Sequence, residues 1–342
     1  MTEILRATKE ALEKASQYLL EGELVVFPTE TVYGLGADGL NEEACAKIFE
    51  AKQRPQDNPL ILHISHLSML DSLVELKDGT IRKAMEDLWP GPLTLIFKKK
   101  EIIPDIVTAK GDTVAIRMPS HQMARQLIGI VGRPLAAPSA NRSGRPSPTK
   151  ASDVYEDMKG IVPLILDGGS CQIGIESTVV DTTQSPAMIL RPGAYTPEDL
   201  DPYFPGILID QGLLNEGEQV KSPGQKYKHY APKAEMYSYL GERKKVIEKI
   251  KEDLDYYKKL GKKVGLLLFQ EDAFQGADLV LSHGSINHIE EMAHSLFANL
   301  REMDRQAMDV ILCQAFEDEE KGLSLSIMNR LRKASSGHIK KI

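Results

Sequence analysis

Within residues 1–205, short apolar runs follow one another at intervals often too small to hold a helix: "ELVVFP" (23–28), "LILHI" (60–64), "LTLIF" (93–97), "TVAIR" (113–117), "PLAAP" (134–138), "VPLIL" (162–166), "STVVD" (177–181) and "AMILR" (187–191). Parallel neighbours need a crossover of about a dozen residues or more, usually a helix, whereas antiparallel ones need only a turn. This spacing predicts a mixed, twisted α/β sheet flanked by helices rather than a regular doubly wound one.

The opening segment "MTEILRATKEALEKASQYLLEGE" alternates charges at helical periodicity, with Leu12, Ala15 and Leu19 on one face and Gly22 as the stop. After "ELVVFP", the stretch "TETVYGLGAD" reads as a hydroxyl-rich and glycine-rich functional loop. Asn41 is placed to cap a helix whose Ala44, Ile48 and Ala51 share a face, and Pro55 ends it, so Lys52 and Arg54 fall at a helix exit.

From Lys233 the order changes to strand "MYSYL", a charged helix from Glu242, strands "KVGLLLF" and "DLVLS", a helix around "HIEEMAHSLFANLREMDRQ", strand "DVILC" and a last helix "LSLSIMNRLRKAS". Alternation of this kind predicts a smaller three-layer α/β/α unit with a mainly parallel sheet and right-handed crossovers. The expected division is residues 1–205, a joining segment 206–235, and residues 236–342.

Charge and cysteine usage narrow the function classes. A formal net charge of -7 argues against a protein that lives by wrapping nucleic acid. Cys45, Cys171 and Cys313 are odd in number and far apart, which suggests neither a disulfide framework nor a paired-cysteine metal site and fits a reducing cytoplasm. No apolar run approaches the roughly 18 residues of a membrane helix, so a soluble protein with no membrane contact is expected.

The familiar nucleotide fingerprints are missing, and "GLG" at 34–36 by itself is compatible with a tight turn. Two other stretches carry more chemistry. "AKQRPQDNPL" sets Lys52 and Arg54 beside Asn58, and "APSANRSGRPS" sets Ser139, Asn141 and Ser147 along a Pro/Gly-rich loop that leaves a strand. Cations, hydroxyls and free backbone N–H groups together suit a polyphosphate without a P-loop.

Taken together, "PTET-YGLG", "K-x-R-x-x-x-NPL", "S-x-N", "VAIRMP", "IESTVVD", "LRPGA", "SPGxKYxHYAP" and "IMNRL" resemble the YrdC family of threonylcarbamoyl-adenylate synthases in its longer two-domain form, over nearly the whole chain. The resemblance implies a YrdC-like domain plus a Rossmann-like one. It also implies condensation of L-threonine, bicarbonate or CO2, and ATP into threonylcarbamoyl-AMP and pyrophosphate. A partner enzyme would pass the threonylcarbamoyl group to adenosine 37 of tRNAs that read codons starting with A, with transient tRNA contact possible in principle.

By the same resemblance, Lys52, Arg54, Ser139 and Asn141 form the catalytic cluster. Thr31, His63, Arg117, Ala137 and Ser177 hold L-threonine, Arg117 being suited to grip a carboxylate by two parallel bonds. Arg54, Asn58, Thr113, Ser139, Ser147, Arg191 and Tyr230 meet ATP. Mg2+ is expected on the triphosphate, with no protein-held metal site identified. His66 has no assigned role. The segment 221–235, "KSPGQKYKHYAPKAE", is expected to act as a strap over the active site and not as a passive tether, with Tyr230 reaching the nucleotide.

Two other readings compete. An RNA-binding module would use Arg142, Arg145 and Lys150, but the chain is acidic overall and lacks aromatics among those basic residues. A YrdC-like module of a hydrogenase-maturation carbamoyltransferase would bring acylphosphatase and zinc-finger segments, which this sequence does not contain.

Overall fold

The computed structural model describes residues 1–6, 8–76, 79–213, 230–316 and 322–342. The chain separates into two compact units, residues 1–143 with 147–226 and residues 144–146 with 227–342.

The first unit is built on strands β1 (Glu3–Arg6), β2 (Val25–Phe27), β3 (Gly34–Asp38), β4 (Ile61–His63), β5 (Leu93–Lys98), β6 (Thr113–Arg117), β7 (Leu135–Ala136), β8 (Leu164–Asp167), β9 (Thr178–Asp181), β10 (Met188–Arg191) and β11 (Leu208–Ile209). Their order across the sheet is β1-β8-β2-β3-β7-β4-β6-β5-β9-β10-β11. Pairings are mixed: β4 lies parallel to β6, while β3 and β4 both run antiparallel to β7. The first strand pairs with β8, and Thr2 Oγ1 donates to Val162 O at 2.6 Å.

Alternation along the strands sends successive side chains to opposite faces. Leu35, Ala37, Leu62, Leu95, Val114, Ile116 and Ala136 face one core, together with helices Glu42–Lys52 and Ala151–Met158. Val25, Phe27, Leu135, Ala137, Leu164 and Leu166 face another, covered by helices Lys9–Leu20 and Gln122–Val131. That second cover does not extend across the whole face. Ile61, Thr113, Ala115 and Val179 are only half-buried, while their neighbours Leu62, Val114, Ile116 and Val180 are buried.

Three local expectations need correction. Helix periodicity at the N-terminus holds only from Lys9 to Leu20; ahead of it, Glu3–Arg6 form β1, because a sheet edge at β8 is there to receive them. The stretch "GLGAD" is a strand and not a loop. Its glycines leave room for the Phe27 ring: a Cβ on Gly36 would stand 2.6 Å from that ring. The sheet also continues past residue 205, since Leu208–Ile209 pair with β10. The Asn41 cap forms as expected, its Oδ1 accepting from Ala44 N at 3.1 Å.

The second unit carries strands β12 (Glu235–Leu240), β13 (Val264–Leu268), β14 (Leu279–Ser282), β15 (Val310–Gln314) and β16 (Ile339–Lys341) in the order β14-β13-β15-β12-β16, every pairing parallel. β16 is an addition to the expected set. Helix Arg243–Lys259 packs Val246, Ile250 and Leu254 on one face. On the other face, a Cβ at Gly265 would meet Met303 of helix Ile289–Arg305, which contacts helix Gly322–Ala334. This is the three-layer, Rossmann-like arrangement.

Candidate active site

Across the middle of the first sheet, register sets the candidates side by side. His63 is the cross-strand partner of Arg117, and Arg117 is the partner of Thr94. All three therefore project from the same face, at the end where β4 and β6 finish.

Arg117 is buried and ties the turn after β2 to this face. Its Nη1 donates to Thr31 Oγ1 at 2.9 Å and its Nη2 to Glu30 Oε1 at 2.6 Å. Thr29 shapes that turn: its hydroxyl donates to Val32 O at 2.7 Å and accepts from Thr31 N at 3.2 Å. Burial is the largest single influence on the Glu30 carboxyl and would raise it, but the Arg117 charge, the hydrogen bond from Arg117 and the nearby backbone N–H groups of Glu30 and Ser120 together outweigh it and hold the group below the usual carboxylate range.

His63 is buried against Phe27, ring centroids 6.3 Å apart, with Nδ1 3.2 Å from Ile61 O. Burial first, and the Arg117 charge second, push its pKa down to about 3, so the ring is neutral at neutral pH. Ser177 Oγ lies 2.8 Å from Thr94 Oγ1 and accepts from Arg191 Nη2 at 3.0 Å, while Arg191 Nε reaches Ser177 O at 3.0 Å. Ala137 N donates to Ile61 O at 3.0 Å, and since Leu135, two residues earlier, is the cross-strand partner of His63, the small Ala137 side chain lies on the His63 face.

A second cluster forms where helix Glu42–Lys52 ends. Lys52 is 2% exposed, and its ammonium donates to Ser139 O and Asn141 O, both at 2.5 Å, with Asn141 Oδ1 at 3.4 Å. Its own carbonyl accepts from Ser143 N at 3.0 Å. Ser139 Oγ donates to Asn141 Oδ1 at 2.5 Å. One residue thus pins the "SANRS" loop at both of its polar ends. Arg54 donates from Nε to Asn58 O at 3.2 Å and from Nη2 to Pro59 O at 3.1 Å. Ser147 Oγ donates to Glu176 Oε1 at 2.6 Å, next to Ser177 in sequence. Thr113 is half-exposed at the opposite end of β6 from Arg117.

The structure therefore brings Thr31, His63, Arg117 and Ser177 to one end of the face, and joins Lys52, Ser139 and Asn141. Arg54 with Asn58 forms a separate contact. Tyr230 belongs to the second unit, where it stacks on Phe297 with centroids 5.1 Å apart. Residues 214–229, which include most of the expected strap, lie outside the described residues. Sequence reasoning passed over Glu30, Thr94 and Glu176, although each sits inside a stretch it quoted. Among the described residues, no group of three His, Cys, Asp or Glu side chains is placed to hold a metal ion.

His283 of the second unit is buried with Nε2 3.3 Å from Cys313 Sγ, and burial pushes its pKa down to about 3 as well. Both His63 and His283 exclude in the fold a proton that the unfolded chain takes up below about pH 6.5. Their contribution is complete above that pH and is lost as pH falls towards 3, by up to roughly 1.4 kcal/mol per pH unit for each ring. Urea midpoints are expected to drop between about pH 7 and about pH 5; equal midpoints would show that the rings titrate alike in both states.

A mixed sheet that leaves one face partly open, with a buried guanidinium and a pinned Ser/Asn loop upon it, and that is accompanied by a Rossmann-like unit, defines the YrdC-like class in its two-domain form. Comparison with known proteins agrees over the full length. The family described as "Telomere recombination" matches residues 17–193, and the one described as "Threonylcarbamoyl-AMP synthase, C-terminal domain" matches residues 195–336. The threonylcarbamoyl-AMP synthase of Pyrococcus abyssi is 47% identical, covering 96% of this chain and 95% of its own. That of Bacillus subtilis is 42% identical, covering 99% and 97%. The crystal structure of P. abyssi Sua5 complexed with L-threonine superposes with a TM-score of 0.94 at 45% identity, covering 100% of this chain and 99% of that one. The chain belongs to the threonylcarbamoyl-AMP synthase family.

Proposed function

We propose that this protein condenses L-threonine, CO2 or bicarbonate, and ATP into threonylcarbamoyl-AMP, releasing pyrophosphate. The observation that carries this reading is the buried Arg117–Thr31 contact beside neutral His63, on a chain that aligns end to end with synthases of that name. In this reading the threonine carboxylate meets Arg117, and Thr31, His63, Ala137 and Ser177 surround the rest of the amino acid. A neutral imidazole adds no charge next to the guanidinium and does not repel the amine.

The amine, once neutral, adds to CO2 and gives a carbamate, which water would destroy, so a dry pocket matters. A carbamate oxygen then attacks the α-phosphorus of ATP and pyrophosphate leaves. Arg54, Ser139 and Asn141 face the charge that builds on the phosphate oxygens, and Lys52 holds the Ser139–Asn141 loop in place for it. ATP is held by Arg54, Asn58, Thr113, Ser139, Ser147 and Arg191. Mg2+ arrives with the triphosphate as part of the substrate, as is usual for a cation that keeps most of its ligands from phosphate and water. The product serves threonylcarbamoyl transfer to adenosine 37 of tRNA. With three free, buried cysteines, the protein is taken to work in the cytoplasm; among the described residues no helix is long and apolar enough to cross a membrane.

The test is pyrophosphate release with ATP, Mg2+ and bicarbonate, comparing threonine with serine, valine and no amino acid, with the adenylate identified by mass. Release that depends on threonine and bicarbonate is expected; release indifferent to either would overturn the reading. Arg54→Ala is expected to lower turnover about 10²-fold, as for loss of a donor to developing charge. Near-normal turnover would remove Arg54 from the catalytic set.

A further inference from the structure

We infer that Glu30 is a positioning and specificity residue for the amino-acid subsite: it orients Arg117 and cancels its charge, so that the subsite accepts a single carboxylate and not a polyphosphate. This rests on the function proposed above.

The geometry is that of an incompletely made ion pair. The Glu30 and Arg117 side chains are 3% and 5% exposed, yet they meet through Oε1 and Nη2 alone at 2.6 Å. Glu30 Oε2 and Arg117 Nε are both buried without a hydrogen-bond partner. A guanidinium has five N–H donors in a fixed fork and pairs best with a carboxylate through two parallel bonds. Here Glu30 takes one N–H and Thr31 Oγ1 takes another, so the guanidinium plane is fixed from one side while donor capacity is kept.

A pair made only for stability would have used both oxygens, since buried ions repay their desolvation only when fully bonded. The guanidinium N–H groups that Glu30 and Thr31 leave unused suit a second carboxylate, which the amino acid brings. Thr31 Oγ1 is in turn set by the Thr29 hydroxyl 2.8 Å away, so the turn and the guanidinium hold one another.

Charge supplies the selectivity. An isolated buried arginine on the same face as phosphate-binding groups would attract the triphosphate or pyrophosphate as strongly as an amino acid. With Glu30 ionised, the pair is neutral. A ligand then gains little from charge alone and must fit the remaining donors, which suits one planar carboxylate.

The two roles separate by substitution. Glu30→Ala removes both acceptor and charge, whereas Glu30→Gln keeps an oxygen for Nη2 and removes only the charge. L-threonine binding by calorimetry without ATP, and initial rates of pyrophosphate release, are measured on both variants and on the unaltered protein. Glu30→Ala is expected to weaken threonine binding and raise its KM about tenfold or more, with the KM for ATP and kcat at saturating threonine within about threefold.

Glu30→Gln is expected to keep threonine binding within about threefold, and to make pyrophosphate an inhibitor competitive with threonine, about tenfold tighter than against the unaltered protein. Unchanged threonine affinity in a folded Glu30→Ala variant would overturn the positioning role. Pyrophosphate inhibition unchanged in Glu30→Gln would overturn the selectivity role, and that near-isosteric variant decides the matter even where the alanine variant fails to fold. Unaltered protein that binds threonine but releases no pyrophosphate would sink the proposed reaction while the comparison of affinities still stands.

Discussion

Lys52→Met is expected to lower turnover by on the order of 10²–10³-fold while L-threonine binding stays nearly unchanged. Methionine keeps the apolar stem and removes the ammonium, whose bonds go to Ser139 O and Asn141 O at 2.5 Å. Each buried carbonyl left without a donor costs about 1–3 kcal/mol, and the loop escapes that cost by moving. Ser139 and Asn141, which the ammonium holds beside each other, then lose the placement on which phosphate binding depends in the proposed mechanism. Single-turnover pyrophosphate release set against calorimetric threonine binding would separate the two effects. Equal losses in both would mean that Lys52 supports the whole face; no loss in turnover would mean that the loop keeps its shape without a cation.

The largest stability effect is expected at Arg117. Arg117→Met strands the Glu30 carboxylate in a buried position, and breaking such a pair from one side costs roughly 3–5 kcal/mol. Threonine binding should weaken by about 100-fold or more, the usual consequence of deleting a charge-assisted bidentate partner. Glu30→Gln in the Arg117→Met background should recover most of the lost stability and none of the threonine binding. A double variant as unstable as Arg117→Met alone would show that the cost comes from lost packing and not from the uncompensated charge.

The central strands were legible because each buries a run of apolar residues whatever its partner. β1, β3 and β16 were not, for distinct reasons. "EILR" and "IKK" are too short and too charged to stand out, and they become strands only because a sheet edge waits for them. "GLGAD" has no side chains to signal a pleat at Gly34 and Gly36, and it is the Phe27 ring across the strand that makes glycine fit there.

The site divides in the same way. Lys52, Ser139 and Asn141 could be grouped from two loops, and their contacts are present. Glu30 could not be singled out, because an acid among threonines reads as a solvated turn; its burial depends on Arg117, 87 positions further along. Short-range patterns report propensity, whereas a buried charge is decided by whichever distant residue arrives to meet it.

The strand order also sets a timetable for synthesis. β1 and β2 both pair with β8, so the first strands have no neighbour on that side until Leu164–Asp167 has left the ribosome. At roughly 5–20 residues per second, that is a wait on the order of ten to thirty seconds. Throughout it, the nascent chain carries β2 with an open edge, and the amino-acid pocket waits longer still, because Ser177 and β9 follow β8 in the sequence.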